Sequence, residues 1–349
     1  MDQTILNENS RKLGAFLKDK TVMITGAGGL IGSRIAQYLD YLNETEGSHI
    51  RAVLLDLREG ACKPLLEKQT DPEAFTFVAC DLEKGIPCTC HVDHIIHCAG
   101  FSGGSKLHLT DPIKVFDTGL KGTRAALDYA AAHGCAGFLY VSTYEVYGQV
   151  SGDNKIAETQ VCDLDTFELR NCYAEVKRLC ESLLCAFSKQ YGLNVYAARL
   201  TSTFGSGVRY QDPRFFAEFA RCAIENRDIV LKSHGKTVRS YLDADDAAIA
   251  FLYILMNGES CNAYNLANRN NEISIREIAE RIIALSGTES KLVFDIAEDA
   301  AKLGMRKEGR TVMDTAKIEA IGWRPVYDFD DTLNKLIGSM RASKEAAAQ

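Results

Sequence analysis

Val22-Met23-Ile24-Thr25-Gly26-Ala27-Gly28-Gly29-Leu30-Ile31-Gly32-Ser33 carries an apolar run into a glycine-rich turn, and a helical pattern begins at once. Ile31, Ile35, Tyr38, Leu39 and Leu42 recur at helical spacing, so the turn links a buried strand to an amphipathic helix. Glycine removes the Cβ that would block close approach, and a helix N-terminus offers unpaired N–H groups with a partial positive charge. A pyrophosphate suits that combination. Gly26, Gly29 and Gly32 are spaced G-x-x-G-x-x-G, not the G-x-G-x-x-G of the usual dinucleotide fingerprint, with Gly28 as a fourth glycine between them. A plain turn needs glycines too, so the rest of the chain has to decide.

The pattern downstream supports a nucleotide site. Ile50-Arg51-Ala52-Val53-Leu54-Leu55 is a second buried strand and ends at Asp56. That carboxylate lies about twenty residues beyond the turn, where dinucleotide folds place the acid that accepts from the adenosine ribose hydroxyls. An acid there disfavours a 2′-phosphate and so selects NAD over NADP, although Arg58 stands close by. Further strands are expected at Phe75–Cys80, at His94–His97 ahead of Cys98-Ala99-Gly100, at Phe138–Ser142 and at Val195–Leu200. Between them, Asp111-Pro112 opens a helix running to about Gly134, and another covers Cys172 to Gln190 before Gly192. Strands alternating with helices at this rhythm predict an α/β fold with a doubly wound parallel sheet.

The rhythm breaks after residue 200. Residues 201–236 are loop-rich and aromatic, Arg239–Leu242 resumes a strand, Asp243–Met256 follows as an apolar helix, and a helix is expected near Ser274–Leu285. The expected division is a nucleotide-binding domain over 1–200, to which 237–258 returns, and a smaller mixed α/β substrate-binding part over 201–236 and 259–340. Residues 341–349 would form a tail.

Composition excludes several classes. A formal net charge of -7 argues against nucleic-acid binding, so anionic ligands would need a local basic pocket. No apolar run approaches membrane-spanning length and the first twenty residues are polar and mixed in charge, so neither a membrane anchor nor a signal peptide is expected. The 12 cysteines are scattered through apparent helices and strands, as expected of reduced thiols in a cytoplasmic protein. Cys88, Cys90, His91, His94, His97 and Cys98 cluster, but neighbouring side chains on a strand face opposite ways and no paired ligand knuckle occurs elsewhere. No metal is expected.

Tyr173 and Lys177 lie four apart in a helical segment and share one face. A lysine ammonium beside a phenol lowers the phenol pKa, so a tyrosinate could take a proton from a sugar hydroxyl while hydride leaves the carbon. Val141-Ser142-Thr143-Tyr144-Glu145-Val146-Tyr147-Gly148 follows the fifth strand, whose carboxyl end faces the ligand crevice. Thr143 is thereby placed to hydrogen-bond the same hydroxyl.

Taken together, these motifs resemble the NAD-dependent epimerase/dehydratase family of extended short-chain dehydrogenases/reductases, over roughly residues 20–335. The resemblance rests on Thr25-Gly26-x-x-Gly29-x-x-Gly32, Asp81-Leu82, His97-x-Ala99-Gly100, Ser142-Thr143-x-Glu145-Val146-Tyr147-Gly148, Tyr173-x-x-x-Lys177 and Gly322-Trp323-x-Pro325. It implies NAD that is reduced and reoxidised in each turnover, a nucleotide-sugar substrate oxidised at C4, and a homodimer built on helices 112–133 and 173–190. By the same resemblance, Gly26, Gly29, Leu30, Ile31, Gly32, Asp56, Asp81, Leu82, Ala99, Gly100, Tyr173 and Lys177 contact NAD. Thr143, Glu145, Tyr173 and Lys177 are catalytic, and Thr143, Arg214, Arg239 and Arg310 hold substrate, Arg239 as the partner of its diphosphate.

Glu145 resembles the acid of dehydratases and UDP-glucuronate decarboxylases, whereas 4-epimerases usually carry none there. Tyr144 replaces the Asp of dTDP-glucose 4,6-dehydratases. Arg170-Asn171-Cys172-Tyr173-Ala174-Glu175-Val176-Lys177-Arg178 is similar to the decarboxylase pattern R-x-C-Y-x-E-x-K-R. Ser202 in place of a common Asn, and Phe101-Ser102-Gly103-Gly104-Ser105 in place of the decarboxylases' A-S-P, depart from it. Decarboxylase, 4,6-dehydratase and 4-epimerase therefore stand in that order, beside an NAD-binding regulatory protein and a simple dehydrogenase with dissociable cofactor.

Overall fold

The computed structural model describes residues 1–101, 110–150, 152, 154–161, 163–296 and 309–348. The opening stretch forms β1 (Thr21–Thr25) and α2 (Leu30–Glu46), preceded by α1 (Gln3–Leu17). Val22, Met23 and Ile24 are wholly buried, as a strand covered on both faces requires. Helix α2 buries Ile35, Ala36, Leu39 and Leu42 along one side and stops where Gly47 takes a left-handed conformation.

Six more strands complete a parallel sheet: β2 (Arg51–Asp56), β3 (Phe75–Ala79), β4 (His94–His97), β5 (Gly137–Thr143), β6 (Val195–Leu200) and β10 (Asn262–Leu266). Their order is β3-β2-β1-β4-β5-β6-β10, with every neighbouring pair parallel. The chain leaves β1 toward β2 and β3, then crosses back to β4. The β1/β4 gap is thus the topological switch point at which doubly wound sheets bind ligands.

Helices cover both faces. On one, α1, α2, α3 (Glu59–Lys68) and α7 (Ala244–Asn257) share a core with Trp323. On the other, α4 (Pro112–His133) and α5 (Cys172–Tyr191) pack on the sheet. Asp111 accepts from the Lys114 N–H with Pro112 at the first helical position, and Gly134 and Gly192 close the two helices in left-handed conformations. A Cβ on Gly119 would stand 2.3 Å from Val176 Cγ1, so this glycine lets α5 approach α4 closely.

A second core lies beyond β6. It gathers Phe204, Phe216, Tyr241, Ile278 and Leu333 from β7 (Ser202–Phe204), α6 (Phe215–Ile224), β9 (Val238–Asp243), α8 (Ile275–Ser286) and α10 (Phe329–Ala348). Strand β9 pairs with β7, β11 (Asn268–Ser274) and β13 (Arg310–Thr311) in a separate sheet, and β8 (Ile229–Leu231) pairs with β12 (Leu292–Phe294).

Three sequence expectations are corrected here. Of 237–258, α7 returns to the main sheet's core, while β9 pairs in the smaller sheet and reaches that core through Leu242. Strand β10, expected within the substrate part, is the main sheet's seventh strand; polar Asn262 and Asn265 interrupt the apolar run that marks the other strands. Helix α1 carries no clear apolar stripe in sequence, because its buried face includes Asn9, Ser10 and Gly14 beside Leu6, Leu13 and Leu17. Finally, the expected tail is helical through Ala348, and Arg341 donates to the Ser286 carbonyl.

Candidate active site

The strand ends and the second core enclose a cleft of about 1010 Å³. One wall is the glycine turn: Gly26, Gly28, Gly29, Leu30, Ile31 and Gly32 all line it. Gly26 has φ +65°, and a Cβ there would lie 2.9 Å from Ala99 Cα. A Cβ on Gly28 would lie 2.4 Å from Ala61 Cβ, and one on Gly32 2.4 Å from the Gly26 carbonyl oxygen. These three glycines are therefore required by the backbone approaching Ala99, α3 and itself. Gly29 caps α2 without a side chain, which leaves the first helical N–H groups for an anion.

Asp56 also lines the cleft. One carboxylate oxygen accepts from the Gly28 N–H at 3.0 Å and the other from the Arg58 N–H at 3.3 Å, so the acid fastens the turn as well as facing the ligand space. Below the turn, Thr123 donates its hydroxyl to the Gly119 carbonyl at 2.7 Å and so can only accept from His97 Nε2 at 3.1 Å. His97 Nδ1 must then accept from the Thr25 hydroxyl at 2.7 Å, whose oxygen takes the Ala99 N–H at 3.2 Å. Burial holds His97 down to about 3, so it stays neutral and serves as a strut. Among the described residues no group of three His, Cys, Asp or Glu side chains could hold a metal, and the 11 described cysteines are free thiols.

The catalytic candidates converge from β5 and α5. Thr143 ends β5, and its hydroxyl oxygen accepts from the Glu145 N–H at 3.3 Å, which starts the single tight turn Tyr144–Tyr147. Behind that turn, Glu181 accepts from the Ser142 hydroxyl at 2.5 Å and pairs with Arg199 at 2.7 Å. Arg199 donates to the Tyr147 hydroxyl at 2.9 Å, which donates to Asn265 at 2.6 Å. Val176, Cys180, Leu184 and Phe187 bury the core face of α5, and Tyr173 and Lys177 stand beside it along the cleft. Lys177 Nζ donates to the Val141 carbonyl at 2.7 Å and lies 4.5 Å from the centre of the Tyr140 ring and 5.9 Å from that of Tyr173. Burial pushes its pKa down to about 8, so an ammonium is retained at neutral pH.

The structure divides the remaining candidates. Gly100, Arg214 and Arg239 line the cleft; Asp81, Leu82, Ala99 and Arg310 are not among its described lining residues. Asp81 accepts from the Glu83 N–H and pairs with Lys84, Leu82 packs toward α4, and Ala99 sits under Gly26. Arg310 pairs with Glu272 at 2.7 Å on the smaller sheet. Arg214 holds Asp212 through two nitrogens, at 2.9 and 2.7 Å, which largely neutralises it. Arg239 Nη1 donates to the Tyr144 hydroxyl at 3.4 Å, which puts this cation at the catalytic turn. Of the glycine segment 101–105, Phe101 lines the cleft and Ser102–Ser105 lie outside the described residues.

Sequence reasoning missed Arg209. It lines the cleft, and Nη2 donates to the Gly28 carbonyl at 3.2 Å across 181 positions of chain. No motif marks it; only the packing of the second core against the glycine turn brings the two together.

The model of the family described as "NAD dependent epimerase/dehydratase family" matches residues 22–267. UDP-glucuronic acid decarboxylase 1 of Danio rerio is 30% identical over 320 residues, covering 91% of this chain and 72% of its own. Among solved structures, UDP-glucose 4-epimerase of Thermotoga maritima superposes with a TM-score of 0.76 at 17% identity, covering 93% of this chain and 99% of the other. The dTDP-glucose 4,6-dehydratase of Bacillus anthracis, solved in complex with NAD, gives 0.74 at 21% identity over 93% and 98%.

Proposed function

The chain belongs to the NAD-dependent epimerase/dehydratase family, and from that premise we propose that it oxidises a nucleotide sugar at C4 and then decarboxylates it, as on a UDP-glucuronate type of substrate. The observation that carries this reading is the convergence of Thr143, Glu145, Tyr173 and Lys177 on the same cleft as the glycine turn. NAD, when bound, supplies the hydride acceptor for C4 and returns the hydride later.

Tyr173 takes the proton of the C4 hydroxyl as hydride leaves C4, with the buried Lys177 ammonium favouring the phenolate. Thr143 orients that hydroxyl. The product is a 4-ketone, to which a C6 carboxylate is β. The C5–C6 bond breaks, carbon dioxide leaves, and the electron pair becomes an enolate whose oxygen is the former ketone. Glu145 delivers a proton to C5, and Tyr173 returns its proton to the C4 oxygen as hydride returns to C4. Glu145 regains its proton from water, so the sum is loss of carbon dioxide and uptake of one proton with no net redox change.

Dehydration is the second reading, favoured by the same Glu145: on a substrate with a C6 hydroxyl it would remove the C5 proton and water would leave. Tyr144 stands where an acid for that water is usual in dTDP-glucose dehydratases, so decarboxylation ranks first. Helices α4 and α5 leave Ile113, Phe116 and Leu179 exposed, which supports a homodimer across these helices.

Product mass decides between the readings. The protein is incubated with UDP-glucuronate, UDP-glucose, dTDP-glucose, CDP-glucose and GDP-mannose. Loss of carbon dioxide is expected on the first; loss of water, or unchanged mass with a new stereocentre, would replace the reading. Tyr173→Phe is expected to abolish turnover on whichever substrate reacts, and full retention would remove Tyr173 from proton transfer.

A further inference from the structure

Arg209 is a cleft cation to which the reading above gives no task, and the one among the described residues whose guanidinium is bonded to the glycine turn. Its loop leaves β7 and is held by the Gly207 N–H donating to the Ser339 hydroxyl of α10 at 2.9 Å. A Cβ on Gly207 would meet Leu30 Cδ1 at 3.4 Å, so the loop lies directly against the start of α2. From there the guanidinium reaches the Gly28 carbonyl at 3.2 Å. The same glycine's N–H is held by Asp56 at 3.0 Å. Gly28 is thus gripped from the cofactor side by a carboxylate and from the substrate side by a guanidinium.

We propose that Arg209 clasps the diphosphate of the bound dinucleotide from the substrate side, pinning the second core onto the glycine turn so that the cofactor is kept between the two half-reactions. The inference rests on the reading above for the identity of the cofactor. A guanidinium carries five N–H donors in a rigid fork, and Gly28 takes one. The side chain is exposed in the cleft, so the fork can add phosphate oxygens without breaking a buried pair. The neighbouring cations have other work: Arg214 is held by Asp212, and Arg239 lies at Tyr144. A cofactor that must take hydride and give it back gains from slow release, and a clasp contributed by the substrate-side core provides it.

The test uses the full chain, stripped of nucleotide, with NAD and adenosine as probes, measured by calorimetry at two salt concentrations and by the NAD-induced rise in melting temperature. Arg209→Ala and Arg209→Gln are expected to weaken NAD by about 10- to 100-fold, the loss of a hydrogen bond to a charged group, and to flatten its salt dependence. Adenosine binding should not change, and Arg209→Lys should recover part of the loss. Unaltered NAD affinity, or equal losses for NAD and adenosine, would overturn the proposal. So would a lowered melting temperature of the free protein with the NAD-induced rise intact, which marks a purely structural role. These readouts need no turnover, so a wild type that binds NAD yet converts no nucleotide sugar would defeat the proposed function and not the clasp.

Discussion

Lys177 should cost the protein stability in exchange for chemistry. Its ammonium is buried among Tyr140, Val141 and Tyr173, and burial lowers its pKa from 10.5 to about 8. That gap, at 1.36 kcal/mol for each pH unit, makes the charged side chain unfavourable by about 3 kcal/mol at pH 7. Lys177→Met removes the charge with little change in shape. It also orphans the Val141 carbonyl, which costs about 1 kcal/mol, so a net gain of about 2 kcal/mol is expected at pH 7. The sign with pH follows from proton binding. Between pH 8 and 10.5 the unfolded lysine holds a proton that the folded one has released, so wild-type stability from this group rises with pH across that window. Below pH 8 both states hold it and the penalty is constant. The variant's advantage should therefore be full at pH 7, shrink through pH 9 and vanish or reverse by pH 10.5. Urea denaturation of the nucleotide-stripped proteins at pH 7, 9 and 10 measures it, the pairwise difference removing the other titrating groups. A variant less stable than wild type at pH 7, or a difference indifferent to pH, would refute the argument. Activity should be lost whichever way stability moves.

Glu145→Gln should still form the 4-ketone, trapped by borohydride, while the later step slows by 100-fold or more on the order of a lost general acid–base group; equal loss of both steps would undo the division of labour with Tyr173. Gly28→Ala should weaken NAD binding and cost about 1–3 kcal/mol of stability, because the new methyl lies 2.4 Å from Ala61 Cβ. Ala61→Gly in the same chain should recover part of both, read by calorimetry and melting temperature. Placing a charge on the exposed apolar face of the helix pair, as Ile113→Glu with Leu179→Glu, should shift a dimer to a monomer in sedimentation without changing the fold by circular dichroism. An unchanged mass would move the interface elsewhere.

What could be read from the chain was what local patterns encode. Helices α4 and α5 were legible to within a residue or two because Asp111-Pro112, Gly134 and Gly192 are local signals for ends. The strands of the main sheet up to β6 were legible because each carries a near-continuous apolar run, which burial on both faces demands of the inner strands. Strand β10 lacks that pattern, and α1 hides a buried face of small and polar residues. The same limit governs the site. Thr143, Tyr173 and Lys177 are fixed by strand end and helix phase, and they do line the cleft. Arg209, by contrast, meets Gly28 only through tertiary packing, and Arg214 is tied to Asp212 by a contact whose geometry spacing alone does not specify.

Charge placement resolves an apparent conflict between an acidic chain and anionic ligands. The chain carries a formal charge of -7, yet the cleft wall holds Arg58, Arg170, Lys177, Arg209, Arg214 and Arg239 against Asp56, Glu145 and Asp212. The acids are not spread at random. Asp212 is spent on Arg214, and Asp56 is spent in part on the N–H groups of Gly28 and Arg58. Glu145 lies within the turn that Thr143 caps. What remains facing the ligand space is a positive lobe near the glycine turn and a mixed one at the catalytic turn. A diphosphate is drawn to the first, where low-dielectric walls weaken screening. The sugar of the proposed substrate, left at the second, would meet the phenols of Tyr144 and Tyr173, the Glu145 carboxylate and the Lys177 ammonium. The net charge of the protein therefore does not exclude a small anionic ligand; the local separation of the two lobes admits one, because it orients a diphosphate at one end of the cleft and leaves the reacting carbon at the other.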